Sequence, residues 1–115
     1  MDMKRSIEGF SALAQETRLE VLRLLVRAGA DGMLAGEIAA GLGVRQNTMS
    51  TNLAVLLRAG LVRNEREGRT IRYFADFGGI RDLVAFLMED CCGGRPEICR
   101  PAIEALVCGC AEPVQ

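Results

Sequence analysis

A mostly α-helical fold with one small β-hairpin is what this 115-residue sequence predicts, and three observations carry it. Apolar residues recur at helical spacing through most of the first 60 positions and again after position 80. One stretch, Leu61 to Phe74, switches to β-rich runs around a Glu67-Gly68 turn. Half of the residues are apolar and a quarter charged, enough for the core of one ordinary domain.

The elements follow in order. Ile7, Phe10 and Leu13 space a first helix, and Leu19, Leu22, Leu25 and Val26 form one face of a second. Two glycines and an aspartate between Ala28 and Gly32 make a turn. A short third helix is expected from Gly36 to about Ala40, burying Ile38 and Ala39 and stopping at Gly41-Leu42-Gly43, with Leu42 plugging the core from that turn. From Arg45 to Ala59 a longer amphipathic helix turns Met49, Leu53 and Leu56 one way, while its front, Arg45 to Asn52, is almost wholly polar. Gly60 ends it and the hairpin follows. Gly78-Gly79 then breaks the chain before a last helix with Ile80, Leu83, Val84, Leu87, Met88 and Cys91 along one broad stripe.

A short helix, a glycine turn and a second helix fronted by Gln, Asn, Ser and Thr make a helix-turn-helix, whose second helix lies in the DNA major groove. The candidate DNA contacts are Arg45, Gln46, Asn47, Thr48, Ser50 and Thr51: Gln and Asn bond adenine bidentately, Ser and Thr reach bases or phosphates, and Arg reaches guanine or phosphate. The hairpin directly after it reads as a wing, with Arg66 and Arg69 flanking its tip for phosphates or the minor groove. A merely solvated polar helix face is the competing reading, and the wing weighs against it.

Charge supports nucleic acid. The net charge is −1, yet six arginines stand against two acids between Arg45 and Phe74, a local +4 on an otherwise acidic chain. The last helix carries more apolar surface than a compact winged helix needs. Together with a partly apolar first helix it is expected to form a homodimer seam of Ile7, Phe10, Leu83, Val84, Leu87 and Met88, and two-fold symmetry then predicts operator DNA with an inverted repeat. Simple core packing is the alternative for that stripe.

Composition also excludes. With no histidine, the usual general base and imidazole metal ligands are missing, which argues against an enzyme. No run reaches the roughly 18 apolar residues of a membrane span, and an early acid interrupts any leader, so a cytoplasmic protein is expected. All five cysteines, Cys91, Cys92, Cys99, Cys108 and Cys110, cluster near the end of the chain. In a reducing compartment such thiols read as soft-metal or redox-responsive groups rather than disulfides.

The stretch Gly36-Glu37-Ile38-Ala39 through Leu42-Gly43-Val44, the run Gln46 to Leu53, the junction Leu57-Arg58-Ala59-Gly60-Leu61-Val62 and the wing Arg66-Glu67-Gly68-Arg69 resemble the ArsR/SmtB family of winged-helix metalloregulators over about residues 7 to 92. The resemblance implies a homodimeric transcriptional repressor that leaves operator DNA when its inducer binds, with residues 1–92 as the DNA-binding and dimerisation domain and 93–115 as a tail completing the inducer site. It departs from two familiar sensor patterns: the third helix has no cysteine pair, and the last helix has no histidine. What it has resembles a subgroup in which a Cys-Cys pair ending the last helix and a third cysteine just beyond it capture trivalent arsenic.

Residue chemistry agrees with that assignment. Adjacent helical side chains diverge by about 100°, so Cys91 and Cys92 can share one ion only if the helix ends there, and Gly93-Gly94 ends it. Six residues separate Cys92 from Cys99, ample contour to return a third sulfur. Three thiolates without nitrogen suit pyramidal arsenic(III), supplied as arsenite, or antimonite or a methylated arsenical, better than tetrahedral zinc. Zinc, cadmium or lead at the same thiols, with Cys108 or Cys110 as a fourth ligand, and a redox switch bridging Cys99 to Cys91 or Cys92 are the alternatives. Cys108 and Cys110 are otherwise auxiliary ligands or inert.

Overall fold

The computed structural model describes residues 2–88, in the order α1 (Met3–Leu13), α2 (Glu16–Ala28), β1 (Met33–Leu34), α3 (Ala35–Leu42), α4 (Gln46–Arg58), β2 (Val62–Glu67), β3 (Thr70–Ala75) and α5 (Phe77–Met88). Five α-helices, a short 3-10 turn at Gly29–Asp31 between α2 and β1, and a three-stranded antiparallel sheet of order β1-β3-β2 are found in these residues, the winged helix-turn-helix class expected. No described helix is long and apolar enough to cross a membrane.

Local chemistry sets the helix ends. Asp2 accepts a hydrogen bond from the Arg5 N–H at 2.8 Å and Gln15 from the Arg18 N–H at 2.9 Å, each satisfying a donor that a helix start leaves free. The Glu37 carboxylate reaches back to the Leu34 N–H at 2.9 Å, half of a capping box. Gly43, in the left-handed region at φ 65°, closes α3 by donating to the carbonyls of Ala39 and Ala40. The helix thus runs two residues further than the sequence suggests, and Leu42 ends it half-buried against the core.

The core is built from Val21 and Leu25 of α2, Ile38 of α3, Met49, Leu53 and Leu56 of α4, and Leu61 beyond them, all essentially inaccessible. Two sequence expectations change here. Leu19 and Val26 are 44% and 37% exposed, because the buried side of α2 is centred on Val21, Leu22 and Leu25 and those two lie about 100° away around the axis. The glycines Gly78 and Gly79 do not interrupt the chain; they occupy the first turn of α5, whose start is held by the Asp76 carboxylate accepting from the Gly79 N–H at 3.0 Å. Strand β1 was not expected: at two residues it has no alternation to read, and it exists because Met33 and Leu34 pair with Tyr73 and Arg72 of β3.

Helix α1 turns small residues inward. Ser6, Gly9 and Ala12 are its buried positions, while Met3, Ile7 and Phe10 are 63%, 59% and 40% exposed. The fit is close at Gly9, where a Cβ would come within 3.2 Å of the Leu83 side chain. Leu83, read with the dimer seam, is 3% exposed and belongs to the protomer's own core, because the missing side chain at Gly9 leaves room for it.

Ser6 hides a hydroxyl that has no hydrogen-bond partner among the described residues. A buried unsatisfied polar atom costs about 1–3 kcal/mol. Ser6→Ala is therefore expected to raise the melting temperature by several degrees, at roughly 4–8 °C per kcal/mol for a domain of this size; a fall measured by calorimetry would show that the hydroxyl is satisfied.

Candidate nucleic-acid interface

The chain leaves α3 through the left-handed Gly43, and the Val44 N–H returns to the Ala39 carbonyl at 3.0 Å. Arg45 is extended, and its carbonyl accepts from the Met49 N–H at 2.9 Å as α4 begins. These bonds make a tight corner and fix which side of α4 faces out. Met49, 1% exposed, anchors the first turn in the core. The residues around it, Arg45, Gln46, Asn47, Thr48, Ser50 and Thr51, are all exposed, so the predicted reading set forms one continuous solvent face at the helix start.

Two of those side chains are partly engaged. The Asn47 side-chain oxygen accepts from the Thr48 N–H at 2.8 Å, leaving its amide donors outward. The Thr51 hydroxyl donates to the Asn47 carbonyl at 3.2 Å, leaving it an acceptor toward a ligand.

Asn52, part of the same polar run in the sequence, turns inward instead and is 6% exposed. Its side-chain oxygen accepts from Arg18 Nη1 at 3.2 Å, and Arg18 Nε donates to the Ala12 carbonyl at 2.6 Å. One guanidinium thus ties the end of α1 to α4. The only signal in the sequence was position: Asn52 follows Met49 by three residues and precedes Leu53, on the core side of the helix.

The wing is the β2–β3 hairpin, paired from Val62↔Ala75 to Glu67↔Thr70. Gly68, at φ 63°, and Arg69 form its two-residue connection, so the turn falls one residue later than Glu67-Gly68 and Arg69 sits in the tip itself. Both wing acids are occupied. Glu65 pairs with Arg63 at 3.1 Å, and that guanidinium also lies 4.3 Å over the Phe74 ring. Glu67 pairs with Arg72 at 2.8 Å, and Arg72 Nη1 donates to the Asp31 carbonyl at 3.1 Å, fastening the wing to the turn after α2. The hydrogen bond that Arg72 donates to the Glu67 carboxylate holds its guanidinium above its ordinary, already high pKa. Exposed pairs of this kind add little stability, but they cancel the two negative charges nearest the tip. Arg45, Arg58, Arg66 and Arg69 make no ion pair with any described residue; Arg45 stands at the start of the reading helix and Arg66 and Arg69 at the wing tip.

Of the expected seam, Ile7, Phe10 and Leu87 are exposed, and Val84 and Met88 are half-buried. Cys91, Cys92, Cys99, Cys108 and Cys110, and the boundary at residue 92, lie outside the described residues. Among the described residues no cluster of His, Cys, Asp or Glu could hold a metal ion.

Comparison with known proteins agrees with this geometry. A family model described as a helix-turn-helix domain matches residues 13–65. An uncharacterized HTH-type transcriptional regulator, YbzH of Bacillus subtilis, is 37% identical over 96 residues, covering 73% of this chain and 96% of its own. A putative arsenical resistance operon repressor, ArsR2 of Halobacterium salinarum, is 36% identical over 72 residues, 63% of this chain and 59% of its own. Among solved structures, the homodimeric winged helix-turn-helix DNA-binding domain of Mb0332 from Mycobacterium bovis, a possible ArsR-family transcriptional regulator, superposes with a TM-score of 0.63 at 27% identity, covering 76% of this chain and 82% of that one.

Proposed function

The chain belongs to the ArsR family of winged helix-turn-helix regulators, which makes it a DNA-binding regulator of transcription and not an enzyme, and on that premise we propose that it is a homodimeric repressor released from operator DNA by trivalent arsenic. The observation that carries the arsenic reading is the cysteine set: Cys91, Cys92 and Cys99 offer three soft sulfur donors, with no histidine anywhere in the chain to complete a mixed nitrogen and sulfur site. Support also comes from the relative named for arsenical resistance.

In this reading Met3, Ile7 and Phe10 of α1 pack with the exposed apolar side of α5 across a two-fold axis, and the two α4 helices enter successive major grooves of an inverted repeat. Each of Cys91, Cys92 and Cys99 exchanges its thiol proton for a bond to arsenic, the three protons leaving with the three hydroxyls of arsenous acid as water. That exchange deposits no net charge, so the switch is conformational: drawing three sulfurs together reshapes the chain beyond α5 and favours a dimer whose reading helices no longer match the grooves. A coupling of about 1–3 kcal/mol weakens DNA binding roughly 5- to 150-fold.

The test is fluorescence anisotropy of the reduced protein on its own promoter DNA, with arsenite, antimonite and zinc added in turn. Release by arsenite or antimonite but not zinc is the expected result. Cys92→Ser is expected to bind the promoter as the wild type does and to ignore arsenite. A Cys92→Ser protein that is still released would remove Cys92 from the ligand set, release by zinc would favour the tetrahedral alternative, and binding indifferent to all three would leave a redox signal or another inducer.

A further inference from the structure

Helix α1 rests on its own protomer through small residues. Its buried positions are Ser6, Gly9 and Ala12, and the close fit is at Gly9, against the Leu83 side chain. A helix gripped at one point can swing about it. A second, directional hold lies at the end of α1: Arg18 Nε donates to the Ala12 carbonyl at 2.6 Å, and Nη1 of the same guanidinium donates to Asn52 Oδ1 at 3.2 Å.

Three features set this contact apart from ordinary packing. Ala12 belongs to the last turn of α1, whose carbonyls have no partner within the helix and whose dipole favours a cation. Arg18 is half-buried with no acidic partner among the described residues, so neutral acceptors alone hold its charge. Asn52 is 6% exposed and stands on α4 directly after Thr51 of the reading set. Partial burial of a guanidinium costs stability that an apolar side chain of similar length would not. What it supplies in return is geometry. Nε and Nη1 share one rigid plane, so the Ala12 carbonyl and the Asn52 side chain are held at a fixed separation, which the single ammonium of a lysine cannot impose.

We propose that Arg18 is a positioning residue for operator recognition: through Ala12 and Asn52 it fixes the angle between α1 and the part of the protomer that carries α4. This rests on the reading of a homodimer joined through the exposed side of α1, and deepens it. Half-sites about 34 Å apart put each reading head about 17 Å from the two-fold axis, where a swing of about 5° displaces it by about 1.5 Å, half the length of a hydrogen bond. Arg18 therefore acts through the spacing of the two reading helices and not through a DNA contact of its own.

The experiment measures affinity of the full-length protein for its promoter duplex and for the same duplex with one half-site scrambled, using wild type, Arg18→Met, Asn52→Leu and the double variant. Arg18→Met keeps the apolar stem and removes both bonds; Asn52→Leu removes one acceptor and leaves Arg18 on the Ala12 carbonyl. Each is expected to weaken the intact promoter about tenfold, within the range for coupled contacts. Each is expected to bind the single half-site as the wild type does, because one head has no spacing to match. The double variant should lose no more than the weaker single variant, since both break the same tie. Equal losses on the two duplexes would show damage to the head itself and overturn the proposal, as would unchanged promoter affinity or losses that add in the double variant. A wild type that gains nothing from the second half-site would remove the two-fold reading and the proposal with it. If circular dichroism shows that Arg18→Met does not fold, Asn52→Leu alone carries the same comparison.

Discussion

Gly79→Ala should cost the protein more stability than any other single methyl added to its first and last helical turns. A Cβ at Gly79 would lie 1.9 Å from the Gly60 carbonyl oxygen, a collision with backbone that no rotamer change relieves. Either α5 lifts from the turn after α4 or that turn shifts, and Leu61, fully buried one residue on, shifts with it. Overpacking of this severity costs about 3 kcal/mol, the top of its usual range. At roughly 4–8 °C per kcal/mol, the melting temperature falls by more than 10 °C. Gly78→Ala is the internal control: its Cβ meets only the Asp76 carboxylate at 3.4 Å, an ordinary contact, and its melting temperature should stay within a few degrees of wild type. Calorimetry that found the two variants equally stable would show that the helix start and the turn are not in contact.

Reversing the two wing-tip charges should have the largest effect on DNA. Arg66 and Arg69 are exposed and without acidic partners among the described residues, so Arg66→Glu with Arg69→Glu changes the tip by four charge units and leaves the core untouched. Losing an arginine contact costs about 1–3 kcal/mol, so the two changes together are expected to lower promoter affinity by about 30-fold or more while the circular dichroism and melting temperature remain near wild type. The loss should shrink as salt rises, since its origin is charge. Unchanged affinity would mean that the wing stands clear of the duplex.

Much of this fold was legible because its signals are local and periodic. The spacing of Met49, Leu53 and Leu56 fixes the inner side of α4 and therefore its outer side, and the positive-φ Gly68 marks the hairpin. What could not be read depends on distant partners. The two residues of β1 are strand only because β3 lies beside them. Leu19 and Val26 match a helical stripe as well as Val21 does, and only the position of α3 and α4 decides which side is buried. Asn52 looks like its polar neighbours until Arg18, 34 residues earlier, is folded against it. Composition likewise shows six arginines and two acids in the reading segment without showing that Arg63 and Arg72 consume both acids. Gly78-Gly79 reads as a break by propensity alone, but the Asp76 cap and the close approach to Gly60 make glycine the residue a helix start needs there.

That approach has a mechanical meaning. Where two helices touch through side chains, rotamers act as springs and a small displacement of one is dissipated before it reaches the other. At Gly60 and Gly79 there is no side chain to flex: the turn that follows the reading helix and the first turn of the final helix meet as bare backbone. A tilt of one is met by the other without slack, as by a hinge pin rather than a cushion. No side-chain rotamer stands between the start of the final helix and the turn that follows the reading helix, so neither can shift toward the other there without moving backbone.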